Sequence, residues 1–365
     1  MCFILSRRRT LNAVRRNEGE EGKPEGRGVW LTTPINRPSK YKQLLEAPRV
    51  LSIANLKGGV GKTTLTANVG AFLAEEWGKS VLLIDLDFQG SLSSMALPSE
   101  EWVPRDSQSS LATKLISNDI ASDLVENVAH EIQLDGERKG GRLKLISTYY
   151  DLAQADNRLL IEWLVKCTPY QIPKSLMAAA QAFFTGVIFR RNDVRYTLAE
   201  ILHSESMREA FDLIIIDCPP RLTTGAIQAF CASTHILIPT IFDRPSAQAV
   251  VSLCNEVETL KENGVCPYLN YIGVVGTMWQ ANLNTQRDAR QFIQDSLKTE
   301  NIDTGILPER TFVPETQEMV KYAKEGIAYI VMPENRAKVR QSIQNLAEYV
   351  ATRMGIAPPP NFQQP

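Results

Sequence analysis

The sequence predicts a doubly wound α/β domain with a mainly parallel sheet and helices on both faces. Three observations predict it. Short β-branched runs recur with nearly continuous apolar content, as in strands buried on both faces. Helical stretches alternate with them. The first run leads through a glycine-rich loop into a helix: Leu51-Ser-Ile-Ala-Asn-Leu-Lys-Gly-Gly-Val-Gly-Lys-Thr-Thr64. Right-handed crossovers then set the strand C-termini along one edge, where ligands bind.

Composition narrows the class. The 365 residues carry 40 basic and 41 acidic side chains, a net charge of −1. A uniformly basic nucleic-acid coat is excluded; a local basic face is not. No apolar run approaches ~18 residues, so no transmembrane helix is expected. The apolar Met1 to Leu5 precedes Arg7, Arg8 and Arg9, the reverse of a secretory signal. Cysteines stand at 2, 167, 218, 231, 254 and 266 with no CxxC pair. That spacing suggests no zinc or cluster site within one chain, and free thiols in a reducing cytoplasm are expected.

Taken in order, residues 1–48 are expected to be a basic, largely disordered extension. Residues 1–49 hold eleven Arg and Lys against five Glu, and Asn17 to Pro38 has no apolar period. It reads as a flexible tail or as a basic arm for DNA or a partner. Strands are expected at Val50–Ala54, Val81–Ile84, Leu143–Ile146, Leu213–Ile216, His235–Ile238 and Tyr271–Val275. Helices are expected at Thr63–Trp77, Ser246–Asn263 and Gln286–Leu297. Residues 152–210 read as an enlarged, mostly helical region broken by Pro169 and Pro173. The main domain runs 49–353, and 354–365 is a Pro-rich tail.

The loop carries the chemistry. Gly58, Gly59 and Gly61 let the backbone curl around an anion. Its N–H groups and the next helix N-terminus then point at phosphate oxygens. Lys62 brings positive charge to the β and γ phosphates, and the Thr63 hydroxyl can ligate Mg²⁺. The strict phosphate-loop pattern requires glycine where Leu56 stands. A deviant form, Lys57-Gly58-Gly59-Val60-Gly61-Lys62-Thr63-Thr64, fits instead.

This segment resembles the ParA/MinD family of dimeric ATPases, and within it the ParA/Soj partitioning branch. The resemblance implies a P-loop NTPase fold, ATP and Mg²⁺ as cofactors, and a homodimer when ATP is bound. It implies that Lys57 reaches the partner subunit's nucleotide, acting like an arginine finger on the transferring phosphoryl group.

Val81-Leu-Leu-Ile-Asp-Leu-Asp-Phe-Gln-Gly90 ends a buried strand in two aspartates. It resembles the family's switch I motif, Asp-x-Asp-Pro-Gln. Asp87 would then orient the attacking water and Asp85 would support the Mg²⁺ shell. Phe88 replaces the usual proline, which implies a less rigid loop. Phe211-Asp-Leu-Ile-Ile-Ile-Asp-Cys-Pro-Pro220 ends in Asp217, a carboxylate placed to bind hydrated Mg²⁺. It resembles Walker B and switch II, with Gly225 as a hinge and Cys218 as a buried thiol. Leu143 to Ala153 resembles the strand-to-helix passage after switch I. Gly273–Thr277 with Asn282–Arg290 resembles the lead to the base and sugar pocket. The resemblance covers roughly residues 49–350, and the 160–196 connection is longer than the family's.

Family members bind nonspecific DNA through basic C-terminal residues; here Lys321, Lys324, Arg336, Lys338 and Arg340 are the candidates. Such contacts go to phosphates. Residues 309–353 hold seven basic and six acidic side chains, so an ordinary solvated face stands beside that reading. No helix-turn-helix is apparent. The prolines near the end break the amphipathic helix by which MinD relatives reach membrane. The expectation is a slow, partner-stimulated, Mg²⁺-dependent ATP hydrolase with a ParB-like adaptor. It would be cytoplasmic, and nucleoid-associated if it binds DNA. The alternative is a nucleotide-gated interaction protein with little hydrolysis and no DNA role.

Overall fold

The computed structural model describes residues 28–47, 49–104, 108–134, 140–167, 193–280, 283–314, 317–333 and 337–360. Among them eight strands build one sheet. They are β1 (Arg49–Ile53), β2 (Ser80–Asp85), β3 (His130–Glu131), β4 (Arg142–Ile146), β5 (Leu213–Asp217), β6 (His235–Thr240), β7 (Asn270–Trp279) and β8 (Val313–Pro314). Their order is β3-β4-β2-β5-β1-β6-β7-β8. Every pairing is parallel except β3 with β4. The six expected strands are all present. The two without a sequence signal, β3 and β8, are two residues long, too short to show a period.

The apolar runs explain the sheet. Val50, Leu51, Ile53, Leu82, Leu83 and Ile214 to Ile216 are fully buried, as strands covered on both faces require. The long helices are α1 (Lys62–Glu75), α2 (Asp151–Cys167), α3 (Thr224–Ala232), α4 (Arg244–Glu262), α5 (Asn284–Thr299) and α6 (Ala337–Arg353). The first of these, α1, is buried from Leu65 to Glu75 because the sheet covers one side and α6 packs on the other. Along α5 and α4, Ile293, Leu297, Val250, Leu253 and Val257 are buried at helical spacing.

Topology positions the site. From β1 the chain crosses to β2, and β5 returns between them. The connection from β5 then passes to β6 on the other side of β1. Connections thus part around β1 at its C-terminal end, where a crevice forms in open α/β sheets. Register brings Ile53 and Asp85 both level with Asp217.

Residues 28–47 differ from the expected disorder. Trp30, Tyr41 and Leu45 are buried in the core. Trp30 stacks on Trp163 with ring centroids 5.7 Å apart. The Tyr41 hydroxyl donates to the Cys231 carbonyl. Anchors of this kind lie far off in sequence, so no local period announces them. Residues 1–27 lie outside the described residues. Of the expected tail, Met354 and Ile356 are buried, so the packed chain runs past Arg353. Pro169 and Pro173 lie outside the described residues, and helix is found on either side, at α2 and at Thr197–Leu202 and Glu205–Ala210.

Candidate functional site

The glycine-rich loop leaves β1 and enters α1. Gly59 has φ +74° and Gly61 +86°, a left-handed backbone that glycine adopts without strain. A Cβ on Gly58 or Gly59 would meet nothing within 4 Å, so the loop's outer side is open. Its inner side is fixed: Val60 is fully buried and its carbonyl accepts the Thr277 hydroxyl at 2.9 Å. Lys62 is 7% exposed and donates to the Lys57 carbonyl at 3.1 Å. Burial pulls its ammonium below the ordinary range, and the Asp217 carboxylate opposes that shift.

The carboxylates Asp85 and Asp217 are neighbours across β2 and β5, both fully buried. Asp85 is filled by its own loop. It accepts the Ser93 N–H at 2.9 Å, the Ser93 hydroxyl at 2.8 Å and the Asp87 N–H at 3.2 Å. Burial lifts its carboxyl to about 7 against those donors. Asp217 is filled on one side only. The Thr63 hydroxyl donates to Oδ2 at 2.6 Å, and Oδ1 is buried with no hydrogen-bond partner. Burial and then Asp85 raise this carboxyl well above its usual range, opposed by Thr63 and Lys62. An unfilled buried carboxylate oxygen beside a threonine hydroxyl suits a hydrated divalent cation. Asp87 is half-buried at the loop, accepting the Gln89 N–H at 3.1 Å. Phe88 is partly buried against the core.

Lys57 lies on the β6 side. Its ammonium donates to both Asp243 carboxylate oxygens, at 3.1 and 3.0 Å, and to the Ser246 hydroxyl at 2.7 Å. Asp243 caps α4 by accepting the Ser246 N–H at 2.7 Å. Burial alone would raise the Asp243 carboxyl, but the Ser246 and Lys57 donors hold it below the usual range. The pair forms because β1 and β6 are parallel neighbours, so the loops leaving them meet. Lys57 is therefore engaged within its own subunit. Beside Asp243 a cleft of about 590 Å³ opens between α4 and α5, walled by Phe242, Ala247, Leu283, Ala289 and Phe292.

The structure gathers Lys57, the 58–64 loop, Asp85, Asp87 and Asp217 at one sheet edge. The basic candidates divide. Lys321, Lys324 and Lys338 are exposed. Arg340 is committed elsewhere: it donates to the Tyr329 and Met332 carbonyls at 2.8 and 2.9 Å, and its guanidinium lies 4.1 Å from the Tyr329 ring centroid. Arg336 and Asn282 lie outside the described residues. Gly225 is not at a free hinge; it is buried in the first turn of α3. Cys218 is buried as expected.

Sequence reading missed Asp243, Ser246, Ser93 and Thr277. Asp243 carried a usable signal, an Asp two residues before a Pro at a helix start. Among the described residues no helix is long and apolar enough to cross a membrane, and no cluster of three His, Cys, Asp or Glu could hold a metal alone.

Comparison with known proteins bears on the family and the fold. A family model described as an AAA domain matches residues 48–270. The chain is similar to the sporulation initiation inhibitor protein Soj of Bacillus subtilis, at 28% identity over 241 residues, 65% of this chain and 75% of Soj. It is similar in fold to pNOB8 ParA bound to nonspecific DNA, with a TM-score of 0.60 at 19% identity over 85% of this chain and 99% of that one. It is also similar in fold to the cobyrinic acid a,c-diamide synthase of Mycobacterium smegmatis with an ATP analogue and magnesium. There the TM-score is 0.58 at 21% identity, over 87% of this chain and 100% of the other.

Proposed function

The chain belongs to the ParA/MinD-type ATPase family, and from that premise we propose that it is a Mg²⁺-dependent ATP hydrolase that dimerises on ATP and positions DNA or another cargo. The observation that carries this reading is the junction of loop and strand. Thr63 donates to one oxygen of Asp217 while the other is buried and unfilled. Thr63 and Asp217 would hold the ion, and Asp85 sets the loop beside them. Mg²⁺, when bound, neutralises phosphate charge and orients the phosphoryl group. The loop N–H groups and Lys62 grip the phosphates. Asp87, open to the edge, orients water.

Lys57 acts in trans in this reading, so it must first leave Asp243 and Ser246. That requirement makes basal turnover slow and gives a partner, such as a ParB-like adaptor, something to accelerate. Lys321, Lys324 and Lys338 would meet DNA phosphates, with Arg340 shaping the fold beneath them. The intramolecular engagement of Lys57 also favours a second reading, a nucleotide-gated interaction protein with little hydrolysis.

Steady-state ATP turnover of the wild type, Lys57→Ala and Asp87→Ala separates the two. The ATPase reading expects measurable wild-type turnover and a loss of about 100-fold in each variant, within the range for such charge-stabilising groups. Three equally inert proteins that still dimerise on ATP would favour the second reading. Retention on random duplex DNA with ATP, falling steeply with salt, is expected for the DNA role; salt-independent retention would reject it.

A further inference from the structure

We propose that Asp156 is a positioning residue that fixes the loop following Asp217, an inference that rests on the ATPase reading above. The loop spans 218–223, between β5 and α3. Asp156 reaches it from α2, distant in sequence. One carboxylate oxygen accepts the Gly225 N–H at 2.7 Å and the other accepts the Thr224 N–H at 3.1 Å. The Thr224 hydroxyl donates back to the Asp156 carbonyl at 2.9 Å. Side chain and main chain of one residue thus hold the first turn of α3.

That turn already has a local cap. The Thr223 hydroxyl accepts the Ala226 N–H at 3.2 Å. Helix starts leave several N–H groups without intrahelical partners, and an anion there complements the helix dipole. Asp156 is therefore a second cap brought from another element, and its effect is to lock α3 to α2. A Cβ at Gly225 would lie 3.4 Å from Asp156 Oδ1, in ordinary contact, so the carboxylate packs directly against this turn. Burial raises the Asp156 carboxyl, and the Gly225, Thr224 and Thr223 donors oppose that rise.

The helix that supplies Asp156 is itself anchored at both ends. Asp151 accepts the Ser110 N–H at 2.9 Å, and Trp163 stacks on Trp30. The near end of the loop is Asp217, and its middle is the exposed Arg221. Without Asp156 the far end has only its local cap, and the groups after Asp217 lose their fixed distance from the phosphate edge. Binding relies on the 58–64 loop and should persist, while the reacting geometry degrades.

The test uses the full chain with Asp156→Asn and Asp156→Glu. The first keeps the volume but sets an amide NH₂ against a backbone donor. The second keeps the carboxylate on a longer stem. Trypsin cleavage after Arg221, identified by fragment mass, reads the loop directly. The expected result for Asp156→Asn is cleavage about 5-fold faster and kcat about 10-fold lower, the scale of one lost charge-assisted hydrogen bond. Affinity for a fluorescent ADP analogue should stay within about 2-fold, and Asp156→Glu should recover part of both losses. Unchanged cleavage at Arg221, or ADP affinity falling in step with kcat, overturns the proposal. If the wild type shows no turnover yet Asp156→Asn speeds cleavage after Arg221, the ATPase reading fails and the anchoring stands. If Asp156→Asn does not fold, Asp156→Glu carries the same two readouts.

Discussion

Two buried charges in this molecule are treated in opposite ways. Arg195 is fully buried where the 28–47 segment crosses the domain. Its guanidinium donates to Asp193 Oδ1 at 2.8 Å, to the Trp30 and Pro34 carbonyls at 2.7 Å each, and to Asp193 Oδ2. The Trp163 ring lies 4.8 Å away. Asp217, equally buried, has one donor and one empty oxygen. A buried ion that its own chain completes is structural. One that its chain leaves incomplete, at the edge where strands end, is held ready for something from outside.

The comparison can be broken at three strengths. Arg195→Leu should act on stability. It leaves the Asp193 carboxylate buried without its partner, a loss of about 3 to 5 kcal/mol. Urea unfolding measures it, and nucleotide affinity of the folded fraction should not move. An unchanged unfolding midpoint would show that Arg195 is not holding the segment.

Asp217→Asn should do the reverse. Turnover is expected to fall by about 100-fold, or ~2.7 kcal/mol. Stability without nucleotide should hold or rise by about 1 kcal/mol, since the incompletely bonded carboxylate at 217 is no longer buried. A stability loss matching that of Arg195→Leu would put both residues in the same class.

Asp243→Asn sharpens the contrast at the smallest scale. The Lys57 and Asp243 side chains are 33% and 42% exposed, so their pair is worth no more than about 1 kcal/mol. Freeing Lys57 should speed ATP-driven dimerisation by about 3-fold, read by light scattering after mixing with ATP. Slower dimerisation would mean that the pair builds the loop rather than restrains it.

What the sequence disclosed follows the same line. The six longer strands, the loop glycines and the aspartates at strand ends were legible because each is written locally, in a run or a fixed spacing. Lys57 was legible as a residue and not as a contact. Its partner Asp243 becomes a neighbour only once β1 and β6 pair. Asp156 was invisible for the same reason, its partners lying in another helix. The 28–47 segment misled because glycine, proline and charge dilute Trp30, Tyr41 and Leu45, and because the polar pocket that receives it surrounds an arginine. Arg340 read as a free cation, yet two carbonyls and a tyrosine ring claim it.

The crossing of residues 28–47 also sets an order of assembly. The Trp30 carbonyl waits for Arg195, and Tyr41 waits for the Cys231 carbonyl. A ribosome making this chain releases the beginning of the segment long before its receiving surface exists. Closure over so great a separation is expected among the last steps, after the local turn from phosphate loop to helix has formed. Residues 28–47 are thus made before the surface that receives them.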